Sequence, residues 1–455
     1  MNFHDLRVTP DTIFSRANLW QTWLDVEAAM AQAQAEIGMI PQWAADEISS
    51  HAKLEYFSLA GLEKSATESM APIVSLVRAL SDICGDAGRF VHWGGTTQNI
   101  MSTGRLLLVR RAHQALLNRL AFAMDRLGAL AAEHADTIMV GRTNYRHALP
   151  ITFGFKVAGW IEELARQNER FLSTEQRVFA LHFGGAIGAM HSFEGQGEAL
   201  NLAMARRLNL VPVLVPDRAS LDGQAEYIVS LALFGMTIGR IGSELYRLMA
   251  DEIGEVSEKL GIEVIGSSTM PHKINPKHVV HLVSSAAQLR ANVTAALDAG
   301  MPAHEGDAAS NQLMSRTLEN ASTQAWAVAE RFETTLANIQ IHPDSMERNL
   351  HLNPGLATEN LMMILARRIG RTTAHDLVHH AVLAASARAG SLADSLMQIS
   401  QIREAITRTE LETVLLPAHY LGDSISIARQ AASLATATAV AMRSRSETWR
   451  ALVAE

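Results

Sequence analysis

The sequence predicts an all-α protein, and three observations carry that prediction. Helix-forming Ala, Leu and Met are plentiful, and the 29 Gly and 12 Pro in 455 residues are not enriched. Apolar residues recur near helical spacing, whereas β-branched runs alternating with period two are scarce. Several apolar-periodic segments are too long to be strands and lack an interior Pro.

Asn18 to Ile37 reads as an amphipathic helix, with Leu24, Ala28, Met30 and Ala31 interleaved with polar residues, and Pro41 stops it. Shorter helical patterns follow to Val91. Thr103 to Ala135 is the first long segment, rich in Leu and Ala. Thr152 to Ala180 follows Pro150, a start signal. Asp222 to Glu258 carries Ile228, Leu231, Gly235, Ile238, Leu245 and Leu248 near helical spacing. Pro276 to Ile339 is long, but Gly300 and Pro302 should break or kink it. Shorter helices follow His342-Pro343. No internal repeat or low-complexity tract is evident. The organisation expected is an N-terminal helical domain over 1–105, a central helix bundle over 106–342 and a C-terminal helical domain over 343–455. Helices this long belong to bundles, and their broad apolar faces call for further copies of the chain to cover them.

Composition excludes several classes. Hydrophobic residues make up 48% of the chain, enough for a large core, and the net charge is −8. An acidic balance argues against a nucleic-acid protein, whose footprint is a basic face. Cys84 is the one cysteine, so no internal disulfide framework exists and a reducing, cytoplasmic setting is expected. Met1 to Arg7 shows no apolar signal core, and no stretch approaches the roughly 20 uninterrupted apolar residues of a membrane span. An anionic substrate would need a local positive site.

That site is visible in Gly266-Ser-Ser-Thr-Met-Pro-His-Lys-Ile-Asn-Pro276. Between Gly266 and His278 there is no acidic residue, while Lys273, Lys277, His272 and His278 supply positive or titratable groups. Ser267, Ser268 and Asn275 add neutral hydrogen-bonding groups, and Pro276 suits the first turn of a following helix whose N-terminal dipole favours anions. By composition alone this is an anion-binding loop; a solvated basic linker is the plainer alternative.

The segment also resembles the signature of the fumarase/aspartase superfamily, Gly-Ser-Ser-x-Met-Pro-x-Lys-x-Asn-Pro, at every fixed position. His92-Trp-Gly-Gly-Thr-Thr-Gln-Asn99 is similar to the family's first signature region and Gly141-Arg-Thr-Asn-Tyr-Arg-His-Ala-Leu-Pro150 to its second. Asn18 to Pro41 and Pro417-Ala-His-Tyr-Leu-Gly422 extend the likeness over nearly the whole chain. The resemblance implies a three-domain all-α enzyme, a homotetramer with active sites built by three subunits, and β-elimination on a small di- or tricarboxylate with no cofactor and no metal. By resemblance, Ser267 is the general base, acting as an alkoxide, and Lys273 and Asn275 hold the carboxylate that gains charge in the aci-carboxylate intermediate. Thr96, Thr97 and Ser268 bind carboxylate oxygens as neutral donors, with Gln98, Asn99, Arg142, Thr143 and Met270 completing the substrate-binding set. His147 is the candidate acid or leaving-side ligand, its ordinary pKa of about 6.5 suiting proton donation near neutrality.

Departures from the family narrow the reading. Asn144 stands where fumarases and adenylosuccinate lyases have His, and Ser69 to Leu76 lacks the His-Asp pair of adenylosuccinate lyases. Asn99 and Gly95 replace the usual Asp and Ala, and Ser220 to Tyr227 lacks the Arg-Asp-Arg run of the muconate cycloisomerases. These differences favour a cycloisomerase-like scaffold working on another substrate, a substituted succinate that yields fumarate, with C–N cleavage foremost. Lactonisation of a 3-carboxy-cis,cis-muconate is the alternative, and an inactive structural homologue is the alternative from another class. The presence of Ser267, Lys273 and Asn275 favours an enzyme. Elsewhere, His375 and His379 have metal-ligand spacing but lack a third ligand, and His304-Glu305-Gly306-Asp307 could line the pocket or serve structurally.

Overall fold

Among the described residues the chain forms eighteen helices, six of them begun by a Ser, Thr or Asp whose side chain accepts from first-turn amides. A computed structural model describes residues 8–261, 263–264, 266–267, 269–387 and 391–451. Ser15 begins α1 (Arg16–Glu36) by accepting from the Asn18 amide. Helices α2 (Gln42–His51), α3 (Leu59–Ser69) and α4 (Pro72–Ile83) complete the N-terminal part. The first long helix, α5 (Thr97–Glu133), begins six residues earlier than Thr103, so Thr97, Gln98 and Asn99 form its first turn. Its 37 residues span about 55 Å at 1.5 Å per residue.

A hairpin of β1 (Ile138–Thr143) and β2 (Arg146–Thr152) leads into α6 (Phe153–Val178), where the Thr152 hydroxyl accepts from the Phe155 amide. A short parallel pair, β3 (Ala180–Leu181) and β4 (Val211–Pro212), brackets α7 (Gly197–Leu208). The next long helix, α8, spans Asp222–Leu248, and the chain then turns through Gly254 (φ +60°) into β5 (Val256–Glu258) instead of remaining helical to Glu258. α9 (His278–Arg290), α10 (Asn292–Ala299) and α11 (Ala308–Asn338) follow, so the Gly300-Met-Pro302 break falls where expected and a second break occurs at Ala291. β6 (Ile339–Ile341) pairs antiparallel with β5. Then come α12 (Pro343–His351), α13 (Thr358–Ile369), α14 (Arg371–Ala387), α15 (Leu392–Met397), α16 (Ser400–Ala405), α17 (Arg408–Val414) and α18 (Ser424–Ala451). The fold is all-α, with three two-stranded sheets as junctions among the described residues.

One continuous core runs from α1 through α5, α6, α8, α9 and α11. A second, smaller core is built around Leu361, Leu365, Leu392, Leu396, Ile402 and Leu411. α18 leaves that small core and returns to the main one through Ala431, Ala435, Ala439 and Met442. It lies close to α5 because Gly128 has no side chain: a Cβ there would sit 3.1 Å from that of Ala435. α8 is long and apolar enough by length and composition to cross a membrane, but 67% of that window is buried inside the molecule, and packing against α6, α9 and α11 accounts for its composition. Phe122 on α5, Leu172 on α6 and Met236 on α8 remain more than half exposed.

Candidate active site

The first signature region is a turn that α1 holds from beneath. His92 adopts φ +61°, and its Nδ1 lies 2.6 Å from the carboxylate of Glu27, which is buried. The Gln34 amide donates to the Trp93 carbonyl at 2.6 Å. Thus polar residues interleaved along α1 are not its solvent face; Glu27 and Gln34 are buried and grip the loop that precedes α5. Burial opposes charge on His92, but the Glu27 hydrogen bond and charge prevail and raise its pKa. Thr96 occupies the N-cap position of α5 without capping it through its side chain, and no described residue engages the hydroxyl of Thr96 or Thr97. Two free hydroxyls beside helix-end amides suit a carboxylate. Gln98 donates to Ser102 at 2.8 Å. Asn99 is buried, donating to the His182 carbonyl at 3.1 Å and accepting from the Gly185 amide at 2.9 Å, so its amide joins two loops.

The second region is the β1–β2 hairpin. Its two turn residues, Asn144 (φ +47°) and Tyr145 (φ +61°), are both left-handed, the geometry that matches the twist of a tight hairpin. Asn tolerates that conformation well, which gives Asn144 a backbone reason for its place. Tyr145 is held at the tip by Arg247, whose guanidinium stacks 4.1 Å from the ring centroid and donates to the phenol oxygen at 2.7 Å. A bulge at Gly141, where a Cβ would meet the Leu149 carbonyl oxygen at 2.8 Å, sets Arg142 opposite His147. Arg142 forms a two-pronged pair with Glu255 at 2.9 and 2.6 Å. Glu255 is fully buried, and Asn349 donates to it at 2.7 Å. The Arg142 charge expected to meet a substrate carboxylate is therefore balanced within the chain, and Thr143 lies exposed at the strand end. Partial burial, and then the charge of Arg142, lower the pKa of His147. At neutral pH it is an uncharged imidazole, so proton donation from the resting state requires an anion beside it to raise that value.

The third region is the loop between β5 and α9. Ser267 Oγ accepts from the amides of Met270 at 3.1 Å and Thr269 at 3.4 Å. The Asn275 side chain donates to the Gly266 carbonyl at 2.9 Å and folds the loop onto itself. Gly266 permits the approach: a Cβ there would collide with the Lys273 carbonyl oxygen at 2.2 Å. Lys273 is exposed, and no described carboxylate pairs with it; Met270 is also exposed. Ser268 lies outside the described residues. The α9 N-terminus differs from expectation. The helix starts at His278, and its amide end is filled by the chain's own Glu258, which accepts from Lys277, His278 and Val279 at 2.6, 3.0 and 2.7 Å. Its dipole is thus turned on Glu258 and not offered to a ligand. Glu255, Glu258 and Glu27 were hidden from sequence reading because each acts on residues distant in the chain.

Within one chain the first and second regions are not brought together. Thr96 and Thr97 start α5 and the hairpin follows its other end, about 55 Å away by helix length. Asp307, from the His304 to Asp307 run, caps α11 by accepting from Ala309 and Ser310. Among the described residues no group of His, Cys, Asp or Glu could hold a metal ion.

Comparison with known proteins agrees with this architecture. The lyase family matches residues 8–290, and the adenylosuccinate lyase C-terminus family matches residues 354–431. An adenylosuccinate lyase from Methanothermobacter thermautotrophicus is 36% identical over 423 residues, 91% of this chain and 94% of the relative. An N-acetyl-S-(2-succino)cysteine lyase from Enterococcus italicus is 33% identical, with 90% of this chain and 92% of the relative covered. The structure of 3-carboxy-cis,cis-muconate lactonizing enzyme from Pseudomonas putida shares the fold with a TM-score of 0.85 and 30% identity, over 94% of this chain and 97% of that one. With the helical bundle and all three signature regions in place, the chain belongs to the lyases of the fumarase/aspartase superfamily.

Proposed function

We propose that this enzyme releases fumarate from a substituted succinate by β-elimination, with Ser267 as general base. The observation that carries the reading is the pair of backbone amides aimed at Ser267 Oγ in a loop where Lys273 has no carboxylate partner among the described residues. An alkoxide needs fixed donors in place before it forms, and two amides supply them without the α9 dipole. Ser267 would take the proton from the carbon next to a carboxylate, leaving the aci-carboxylate dianion on Lys273 and Asn275. The bond from the adjacent carbon to its substituent then breaks, the carbon–carbon double bond forms, and the departing atom gains a proton. Thr96, Thr97 and Ser268 donate to carboxylate oxygens. His147, neutral at rest, hydrogen-bonds on the leaving side and becomes an acid only when substrate charge raises its pKa. Because the first and second regions lie at opposite ends of α5, a complete site needs several copies, a homotetramer in this reading. The succinyl relatives support C–N or C–S cleavage.

Lactonisation of 3-carboxy-cis,cis-muconate is the second reading, favoured by the similarity to the Pseudomonas putida enzyme. The test offers amino, N-substituted, S-substituted, nitro and hydroxy succinates and the carboxymuconate, following ultraviolet absorbance of the new or consumed double bonds. A rise with one succinate identifies the leaving group; loss of the muconate signal alone overturns fumarate release. Ser267→Ala should lower kcat by about a thousandfold or more with assembly unchanged. Unchanged kcat would remove Ser267 from the role of base.

A further inference from the structure

We propose that Arg218 supplies the positive charge for the substrate's second carboxylate, the one that gains no charge during elimination. This rests on the fumarate-releasing reading for the identity of the dicarboxylate but not for the anion. A substituted succinate brings two carboxylates, and the aci-carboxylate adds a further negative charge, against Lys273 as the one assigned cation. Thr96 and Thr97 offer hydrogen bonds but no charge. His92, just before them, is committed to Glu27 at 2.6 Å. A carboxylate held at the start of α5 therefore calls for a cation from elsewhere in the chain.

Packing brings Arg218 to that end of the molecule. The loop from Gly184 to Gly188 lies on the first signature region: the Gly185 amide donates to Asn99 Oδ1 at 2.9 Å, and a Cβ on Gly185 would sit 3.8 Å from the Gly94 carbonyl oxygen. Pro216 and Asp217 press on the same loop, since a Cβ would come within 2.7 Å of Pro216 at Gly184 and within 2.7 Å of Asp217 at Gly188. Arg218 follows, and its Nη1 donates to the Ala186 carbonyl. On its other side stands Gly306 of the His304 to Asp307 run. A Cβ there would lie 3.6 Å from both terminal nitrogens, so the guanidinium fills room that a longer side chain would take.

No described carboxylate pairs with Arg218. The adjacent Asp217 is occupied by the Ala219 and Ser220 amides at 2.8 and 2.6 Å and by the Ser220 hydroxyl at 2.8 Å. Arg218 is half-buried, its Nε is enclosed without an acceptor, and burial lowers its pKa with no neighbouring charge opposing. Arg142, by contrast, has its counter-ion inside the chain. A partly desolvated guanidinium without a counter-ion is costly, and a carboxylate on Nη2, which has no described partner, relieves that cost.

The experiment uses the full-length, assembled enzyme and calorimetric binding of fumarate and its monoamide, which match in shape and differ by one negative charge. Fumarate should bind at least about tenfold tighter, and in Arg218→Gln that ratio should fall toward one while monoamide binding changes little. Arg218→Lys, which keeps the charge but not the fork, should retain part of the ratio. Gly306→Val, which crowds the guanidinium without removing it, should lower the ratio and decides the matter if Arg218→Gln does not assemble. The comparison is internal to each variant, so a purely structural loss weakens both ligands and leaves the ratio intact. A ratio near one in the unaltered enzyme, or one undiminished in the variants, overturns the assignment. If fumarate is not bound, 3-carboxy-cis,cis-muconate and cis,cis-muconate, which differ by one carboxylate, are compared in the same way. A preference for the tricarboxylate that is lost in Arg218→Gln then supports Arg218 as the anion contact while sinking fumarate release. A preference independent of Arg218, or no binding of any of these ligands, overturns the assignment.

Discussion

Arg142→Met is the sharpest perturbation available, because its cost follows from a counted set of contacts. Glu255 is 0% exposed and has the Arg142 guanidinium on both oxygens, at 2.9 and 2.6 Å, with Asn349 at 2.7 Å as its other side-chain donor. Removing Arg142 leaves a buried carboxylate with one amide for company, a loss of about 3–5 kcal/mol. For a chain of 455 residues the unfolding entropy is about 1 kcal/mol per kelvin, so Tm should fall by about 3–5 °C. Removing both charges in R142M/E255M eliminates the orphaned carboxylate and should recover most of the loss, giving a coupling of about 2 kcal/mol or more in a double-mutant cycle. Arg142→Lys keeps the charge but loses the fork and should fall between them. Thermal and urea unfolding followed by circular dichroism provide the readout. A loss under about 0.5 kcal/mol for R142M, or strictly additive single changes, would refute the claim that this pair anchors the hairpin.

Glu258→Ala should expose the Lys277, His278 and Val279 amides, speeding their hydrogen exchange and destabilising the loop by about 2–3 kcal/mol, whereas Glu258→Gln retains an acceptor and loses less. Unchanged exchange would show that the cap is idle. Because Glu27 raises the His92 pKa, the stability from that pair is present below about pH 6.5 and is lost as pH rises through the raised folded value. The gap in unfolding free energy between the unaltered enzyme and Glu27→Gln should therefore shrink on going from acid to alkaline pH; a constant gap contradicts it. The His147 pKa is lowered, so its neutral form persists until pH falls below the ordinary value of about 6.5. As the acid it must be protonated, so kcat/KM should fall as pH rises through a value below about 6.5, and that fall should vanish in His147→Gln; a fall that survives the substitution assigns the proton donation to another group.

Much of this enzyme could be read from local pattern. The long helices were visible because periodicity is a property of neighbours, and the Gly266 to Pro276 loop was visible because every chemically active group lies within one short run. Breaks at Gly300 and Pro302 followed from backbone chemistry in the same way. The end of α8 was not visible: apolar residues continue past Leu248, but the chain turns because Glu255 must reach Arg142, more than a hundred positions earlier. Asn144 read as a change in the pocket, and the hairpin shows it to be a turn residue whose φ matters first. The partners of Glu27, Gln34 and Glu258 were not legible either, since nothing nearby in sequence reveals that these side chains meet His92, Trp93 and the α9 amides. The return of α18 to the main core was equally hidden, because it depends on the fit of Ala435 to a gap left by Gly128. The sequence by itself thus determined the helices, the acid-free loop and the class of chemistry. The tertiary structure alone decided which charges are already neutralised and which stay open to substrate, because pairing across hundreds of residues is set by packing and not by spacing along the chain.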